Sequence, residues 1–251
     1  MTSDAIIQVR NLTARYGDET IFENINFDVR RGEIFVILGG SGCGKSTLLK
    51  HLVGLYRPAS GKIFIDGDDI GSAEGALLEK IQRKFGILFQ SGALFGSMTV
   101  AQNVALPLQE YTPLSPRDID LLVRMKLSMV NLSGYETHLP SEISGGMKKR
   151  AGLARAMSLD PKILFFDEPS AGLDPITSAD LDNLILQLNK SLGTTIVVVT
   201  HELASIFAIA QRVIMLDKEQ KKIIAEGNPF ELKERSSDPK VRNFFNRRAE
   251  S

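Results

Sequence analysis

A three-layer α/β core, flanked by an antiparallel β layer and carrying a small helical subdomain, is the architecture this sequence predicts. Three observations carry that expectation. Short apolar runs at 34–38, 163–166 and 196–199 are rich in Ile, Val and Phe and bounded by Gly, Asp or Thr, the composition of strands buried on both faces of a parallel sheet. Longer helical patterns at 45–54, 146–158, 176–192 and 202–210 alternate with them, as layered α/β domains require. The opening differs. Short β-prone pieces at 6–10, 20–29 and 62–66 are broken at 16–18 and 58–61, which reads as an antiparallel layer beside the core.

From about 98 to 134 the pattern turns helical, with breaks expected at Pro107, Pro113 and Pro116 and no strong strand between them. With the helix that follows, this predicts a helical subdomain over about 98–158 inside a main domain of 1–234, leaving 235–251 as a tail. Neither an internal repeat nor a low-complexity segment interrupts the chain, so no solenoid or disordered linker is implied.

The 251 residues suffice for one large α/β domain or a main domain with a smaller insert. Thirty basic and thirty acidic residues cancel, so no global field points to nucleic acid as a partner. A single cysteine, Cys43, cannot form an internal disulfide and fits a reducing compartment. The first ten residues lack a basic start followed by a long apolar run, so a cytosolic location is expected. The apolar runs are far shorter than the ~20 residues of a spanning helix, and any membrane role falls to a partner.

The segment Gly39-Gly40-Ser41-Gly42-Cys43-Gly44-Lys45-Ser46 matches the phosphate-loop pattern G-x-x-x-x-G-K-[ST] between a strand and an apolar helix. Glycines leave successive backbone N–H groups unshielded around the β-phosphate, and the helix adds its positive end. Lys45 is expected to reach the β- and γ-phosphates, Ser46 to ligate Mg²⁺ through its hydroxyl, and Thr47 to touch the α-phosphate. Cys43 reads as a small residue filling a loop position. The core is therefore expected to be of the P-loop NTPase type, taking a nucleoside triphosphate with Mg²⁺.

A second strand, 163–166, delivers Asp167 and Glu168 at the carboxyl edge of the sheet, where open α/β sheets bind ligands. Asp167 is expected to hold Mg²⁺, and Glu168 to orient or deprotonate the attacking water. His201 leaves the strand at 195–200 on the same edge and is placed to sense the γ-phosphate, whereas His51 and His138 carry no such context.

Ser144-Gly145-Gly146, followed by Met147-Lys148-Lys149-Arg150 and an apolar helix, completes the set. Together with the phosphate loop and Asp167-Glu168, it makes the chain resemble ATP-binding cassette nucleotide-binding domains over about 6–227. The resemblance implies that the nucleotide is ATP, and it implies further roles. Tyr16 is similar to the aromatic that stacks on adenine, Gln90 to the residue linking Mg²⁺ and water to the transmembrane partner, and Asp174 to the loop acid at the cassette interface. It implies that Ser144, Gly145 and Gly146 contact the γ-phosphate held by a second copy, in a head-to-tail pair with two nucleotides between the chains. A serine hydroxyl, two unshielded amides and a helix N-terminus do form an anion site. Met147 stands where most cassettes carry glutamine and cannot reproduce its amide hydrogen bonds.

Met147, the run Phe89-Gln90-Ser91-Gly92-Ala93-Leu94-Phe95, and Asp174-Pro175-Ile176-Thr177 resemble the Mla/Mkl subgroup. Membership implies ATP-driven phospholipid transport between inner and outer membranes, in support of outer-membrane lipid asymmetry. It also implies an integral permease, a lipid-binding mammalian-cell-entry protein and a STAS-domain protein as partners, and a peripheral place on the cytoplasmic face of the bacterial inner membrane. An importer ATPase for polar solutes such as amino acids shares every catalytic motif and remains the alternative. In the tail, Val241, Phe244 and Phe245 form an apolar helical stripe among Lys240, Arg242, Arg247 and Arg248. On pattern alone it packs either on a partner or back on its own domain; the Mla/Mkl resemblance implies that the tail, 235–251, contacts a second ATPase or its accessory subunit.

Overall fold

The computed structural model describes residues 4–248; the parts of the amino-terminal and tail expectations that fall on 1–3 and 249–251 lie outside them. In chain order the elements are β1 (Ala5–Tyr16), β2 (Glu19–Arg30), β3 (Ile34–Gly39), α1 (Lys45–Leu52), β4 (Ser60–Ile65), β5 (Asp68–Asp69), α2 (Gly75–Gln82) and β6 (Phe85–Leu88). Then come α3 (Val100–Tyr111), α4 (Pro116–Met129), a 3-10 turn at Pro140–Glu142, α5 (Gly145–Ala156), β7 (Ile163–Asp167), α6 (Pro175–Leu192), β8 (Thr195–Val199) and α7 (Leu203–Ile209). The chain continues through β9 (Arg212–Asp217), β10 (Lys222–Gly227), α8 (Pro229–Arg235) and α9 (Pro239–Phe245).

Six strands form the core sheet in the order β10-β9-β3-β8-β7-β6. All neighbouring pairs are parallel except β10 with β9. Side chains alternate across it as the period of two demands. Ile34, Val36, Leu38, Leu164, Phe166, Ile196 and Val198 join one buried cluster with the helices α3 to α7. Phe35, Ile37, Ile163, Phe165, Val197 and Val199 join a second cluster with α1 and the antiparallel sheet β2-β1-β4-β5. Every residue of β3 and β8 is buried, which is why their sequences are unbroken apolar runs.

The flanking layer is built of longer strands than its short β-prone pieces suggested. β1 runs twelve residues with irregular pairing to β2 between Val9 and Ala14, and such bulges let polar residues such as Asn11 sit within a strand. In the helical region, Pro113 lies between α3 and α4, and Pro116 opens α4 behind the Ser115 cap, whose hydroxyl accepts from the Asp118 amide. Pro107, expected as a break, instead lies inside α3. The capping box of Thr99 and Gln102 starts that helix, and burial of Val104, Ala105 and Leu108 on either side of the proline offsets a defect of ~3 kcal/mol.

The described part of the tail packs on the domain that precedes it. Val241 and Phe245 are buried in the same cluster as the core helices, with the Phe245 ring 5.8 Å from Phe207. Lys240 Nζ donates to Asp217 Oδ2 at 3.0 Å and Glu219 Oε2 at 2.6 Å, contacts that hold its ammonium above the usual lysine range. Val241 and Phe245 of the apolar stripe are thus buried on this chain's own domain, while Phe244 is half-buried.

Candidate functional site

The carboxyl ends of β3, β8 and β7 lie side by side in the core sheet, and each delivers a segment singled out from sequence. From β3 the chain enters the loop 39–44 and then α1. Gly39 has φ +148°, and a Cβ there would lie 2.5 Å from the Leu216 carbonyl oxygen and 2.6 Å from Cys43 Sγ. Gly44, at φ +97°, would place a Cβ 2.8 Å from Ile21. Neither position accepts a side chain, so the loop backbone stays bare where a phosphate would approach. Helix α1 starts without a side-chain cap and without an acid in its first turn. The first-turn amides, those of Lys45, Ser46 and Thr47, therefore have no acceptor within the helix, the arrangement that binds anions.

Lys45 Nζ donates to the Gly39 and Gly40 carbonyls at 3.0 and 3.2 Å, which holds its charge folded over the loop. Ser41 and Gly42 are exposed beside it. Cys43 turns the other way: it is buried, and burial pushes its thiol up from its ordinary pKa. Whatever Cys43 offers a ligand comes from its backbone.

From β7 come the two acids. Asp167 Oδ1 is buried without a hydrogen-bond partner. Burial first, and then the charge of Glu168, push its carboxyl up, while Lys50, the Ser46 hydroxyl and Lys45 pull the other way. An orphaned buried carboxylate oxygen beside a serine hydroxyl is a donor set that fits a hard divalent cation. Glu168 has a left-handed backbone at φ +47°, held by its N–H to the Val199 carbonyl at 2.8 Å. Its Oε1 lies 2.9 Å from His201 Nδ1, and its Oε2 is buried and unpartnered. Strained backbone and an unclaimed acceptor at one residue mark a functional position. The exposed His201 thus joins Glu168, across adjacent strands, as the shared sheet edge predicted.

Tyr16, at the end of β1, is exposed and meets Tyr56 edge-on at 5.9 Å. Tyr56 escaped the sequence reading; its hydroxyl is pushed down by its hydrogen bond with Tyr16 and by Lys50, whose ammonium lies 5.2 Å from its ring. Gln90 is exposed, two residues beyond β6, and its side chain has no hydrogen-bond partner among the described residues.

Ser144, Gly145, Gly146 and Asp174 form a second cluster. Ser144 caps α5, its Oγ accepting from the Met147 amide at 3.2 Å. Cβ atoms at Gly145 and Gly146 would lie 3.9 Å from Leu173 and 2.6 Å from Thr177. Asp174 caps α6, accepting from the amides of Ile176 and Thr177 at 3.0 and 3.1 Å and from Thr177 Oγ1 at 2.5 Å. Those bonds, the Thr177 hydroxyl first, hold its carboxyl below its ordinary value. No hydrogen bond among the described residues ties this cluster to the 39–47 loop. Met147 is half-buried against the helical core.

Behind the acids lies a polar group that the sequence did not flag. Lys149, on α5 and buried, donates to the carbonyls of Glu168 and Ala171. Asp182, on α6 and 5 % exposed, has its carboxyl pushed up to about 6 by burial and by Glu202, against the pull of the Ser205 hydroxyl. A folded pKa above the ordinary 3.8 means this group favours the fold while protonated. That stability is present at low pH and is lost as pH rises through about 6. Asp182→Asn is therefore expected to stabilise the chain at pH 8 by up to about 3 kcal/mol, with the gap closing by pH 4; calorimetry at the two pH values checks it.

The ABC transporter family model matches residues 22–171. Over 248 residues the chain is 44% identical to the probable ribonucleotide transport ATP-binding protein mkl of Mycobacterium leprae, covering 99% of this chain and 71% of that one. It is 42% identical over 240 residues to the intermembrane phospholipid transport system ATP-binding protein MlaF of Escherichia coli K12, covering 96% and 88%. Among solved structures, cbiO1 of Clostridium perfringens, part of the ABC transporter complex cbiONQ, superposes with a TM-score of 0.84 at 31% identity over 98% and 96% of the two chains. The dimeric ATP-binding cassette MJ0796 in a post-hydrolysis state with ADP and Pi gives a TM-score of 0.80 at 31% identity over 88% and 98%. A bare phosphate loop, unclaimed acids at the neighbouring strand end and these relatives lead to one conclusion: the chain belongs to the ABC transporter family, as a cassette that binds and hydrolyses nucleotide.

Proposed function

We propose that this chain is the ATP-hydrolysing subunit of a complex that moves phospholipid between the inner and outer membranes of a bacterium. The observation that carries the reading is a hydrolytic site set in a chain that aligns over 96% of its length, and 88 to 90% of theirs, with two MlaF proteins. No described helix is long and apolar enough to cross a membrane, so the lipid path belongs to an integral permease. A mammalian-cell-entry lipid-binding protein and a STAS-domain protein complete the proposed assembly at the cytoplasmic face of the inner membrane.

In this mechanism the loop amides of 39–44 and the uncapped start of α1 take the β-phosphate. Lys45 exchanges its two carbonyls for β- and γ-phosphate oxygens, a stronger partner because the bond becomes charge-assisted on both sides. Tyr16, with Tyr56 at its edge, covers the adenine. Ser46, Asp167 and, through water, Gln90 would hold Mg²⁺, which supplies charge neutralisation at the β- and γ-oxygens. The free Oε2 of Glu168 takes the proton of the attacking water, while His201 steadies Oε1 and faces the γ-phosphate. The γ-phosphoryl group leaves ADP and is released as phosphate.

Ser144, Gly145 and Gly146 make no hydrogen bond to their own phosphate loop among the described residues, and in this reading a second copy supplies the missing half. Two chains packed head to tail place each α5 start on the other's γ-phosphate, with Asp174 at the joint. Loss of the γ-phosphate unlocks the pair and moves the permease. The relatives named for ribonucleotide transport favour a second reading, import of a polar solute. Mass spectrometry of small molecules bound to the intact complex decides: co-purified phospholipid and a mammalian-cell-entry protein are expected, whereas a solute-binding protein with a polar solute rejects the lipid reading.

A further inference from the structure

We propose that Lys149 is a positioning residue for the catalytic carboxylate, gripping from α5 the backbone turn that carries Glu168. The inference rests on Glu168 being the group that activates water. Lys149 Nζ donates to the Glu168 carbonyl at 3.3 Å and to the Ala171 carbonyl at 3.1 Å, across nineteen and twenty-two residues of chain. The two carbonyls mark the ends of a tight turn, since the Ala171 N–H already donates to the Glu168 carbonyl at 3.1 Å. A second donor at that oxygen therefore fixes the orientation of the peptide that follows Glu168.

That peptide matters because Glu168 is held at φ +47°, a left-handed conformation that is uncommon for a residue with a β-carbon and that its backbone hydrogen bonds help to keep. On one side the Val199 carbonyl takes the Glu168 N–H; on the other, Lys149 takes its carbonyl. With both peptide groups pinned, the side chain leaves the backbone in one direction, toward His201. A buried ammonium is costly unless it is paired and hydrogen-bonded. Here the carboxylates of Glu202 and Glu168 support it against burial, which pulls its pKa down. An apolar residue would fill the space without gripping either carbonyl.

The position of Lys149 within α5 adds a consequence. Ser144 caps that helix and Lys149 sits about one turn further on. The helix whose start is offered to a second copy's nucleotide thus also grips the turn of its own Glu168. A displacement of α5 on engagement is carried to the carboxylate through these two hydrogen bonds.

The test uses the full-length chain. In Lys149→Met, kcat for ATP is expected to fall by about tenfold to a hundredfold, while KM and the affinity for a fluorescent ATP analogue stay within about twofold. Hydrogen exchange should rise in the peptide over 167–173 and remain unchanged in β3 and β8. Wild-type kcat, or a loss of affinity in step with turnover, overturns the proposal. Should Lys149→Met not fold, Lys149→Arg decides. It keeps the charge but puts a larger planar head where a point donor sat, so a lowered kcat at unchanged affinity is expected and an unchanged kcat is fatal. Glu168→Gln run alongside separates the two failures. Full turnover there removes the underlying role of Glu168, whereas a dead Glu168→Gln with a fully active Lys149→Met removes only the role of Lys149.

Discussion

Glu168→Gln is expected to lower ATP turnover by about a hundredfold to ten-thousandfold, the range that a positioned general base contributes, while leaving ATP bound. The substitution keeps the shape of the side chain. Gln can still meet His201 Nδ1, the contact that Glu168 Oε1 makes at 2.9 Å. What it loses is the second oxygen, which is buried and without a hydrogen-bond partner and so is open to a water proton. None of the loop amides, nor Lys45, depends on that atom, so the ground state keeps its grip on the triphosphate. With binding retained and hydrolysis blocked, the γ-phosphate persists and the head-to-tail pair should accumulate. Light scattering of the variant with MgATP is expected to report twice the mass of the nucleotide-free chain. Unimpaired turnover would mean that another group activates water, and the roles given to His201 and Lys149 would lose their basis.

Lys45→Ala is expected to weaken nucleotide binding by about tenfold to a hundredfold, because one charge-assisted contact to phosphate is worth about 1.5–3 kcal/mol. In this fold the same ammonium rests on the Gly39 and Gly40 carbonyls. Those contacts hold it at the loop, so little side-chain ordering is left to oppose binding. The folded state should lose little, since Gly40 is exposed and water can replace the ammonium at its carbonyl. Fluorescent-nucleotide titration measures the affinity, and thermal melting without nucleotide measures the cost to the fold. A wild-type titration curve would count against the phosphate site as drawn.

Much of this site was legible in the one-dimensional order of residues, for a reason visible at Gly39 and Gly44. A Cβ at either position would collide with Leu216, Cys43 or Ile21, so the loop admits only glycine there and writes its geometry into the sequence. Strand ends were legible in the same way. Asp167 and Glu168 follow four apolar residues buried on both faces of a parallel sheet, and such a strand can expose polar groups only at its edge. Tyr56 and Lys149 carried no comparable mark. A lysine among Lys148, Lys149 and Arg150 reads as an ordinary surface residue until the chain closes over it, and an exposed aromatic after a helix does so until the fold brings it to Tyr16.

Local rules determined the phosphate loop, the helix caps at Ser144 and Asp174, and the alternation of buried strands with helices. Each depends on backbone geometry within a few residues, where steric exclusion and unpaired amides leave few solutions. Tertiary structure alone decided that Pro107 lies within α3, that Phe245 packs near Phe207, and that Lys149 grips the Glu168 turn. Those outcomes turn on burial and pairing between segments far apart in the chain, where the gain from a contact exists only after the fold has brought both sides together.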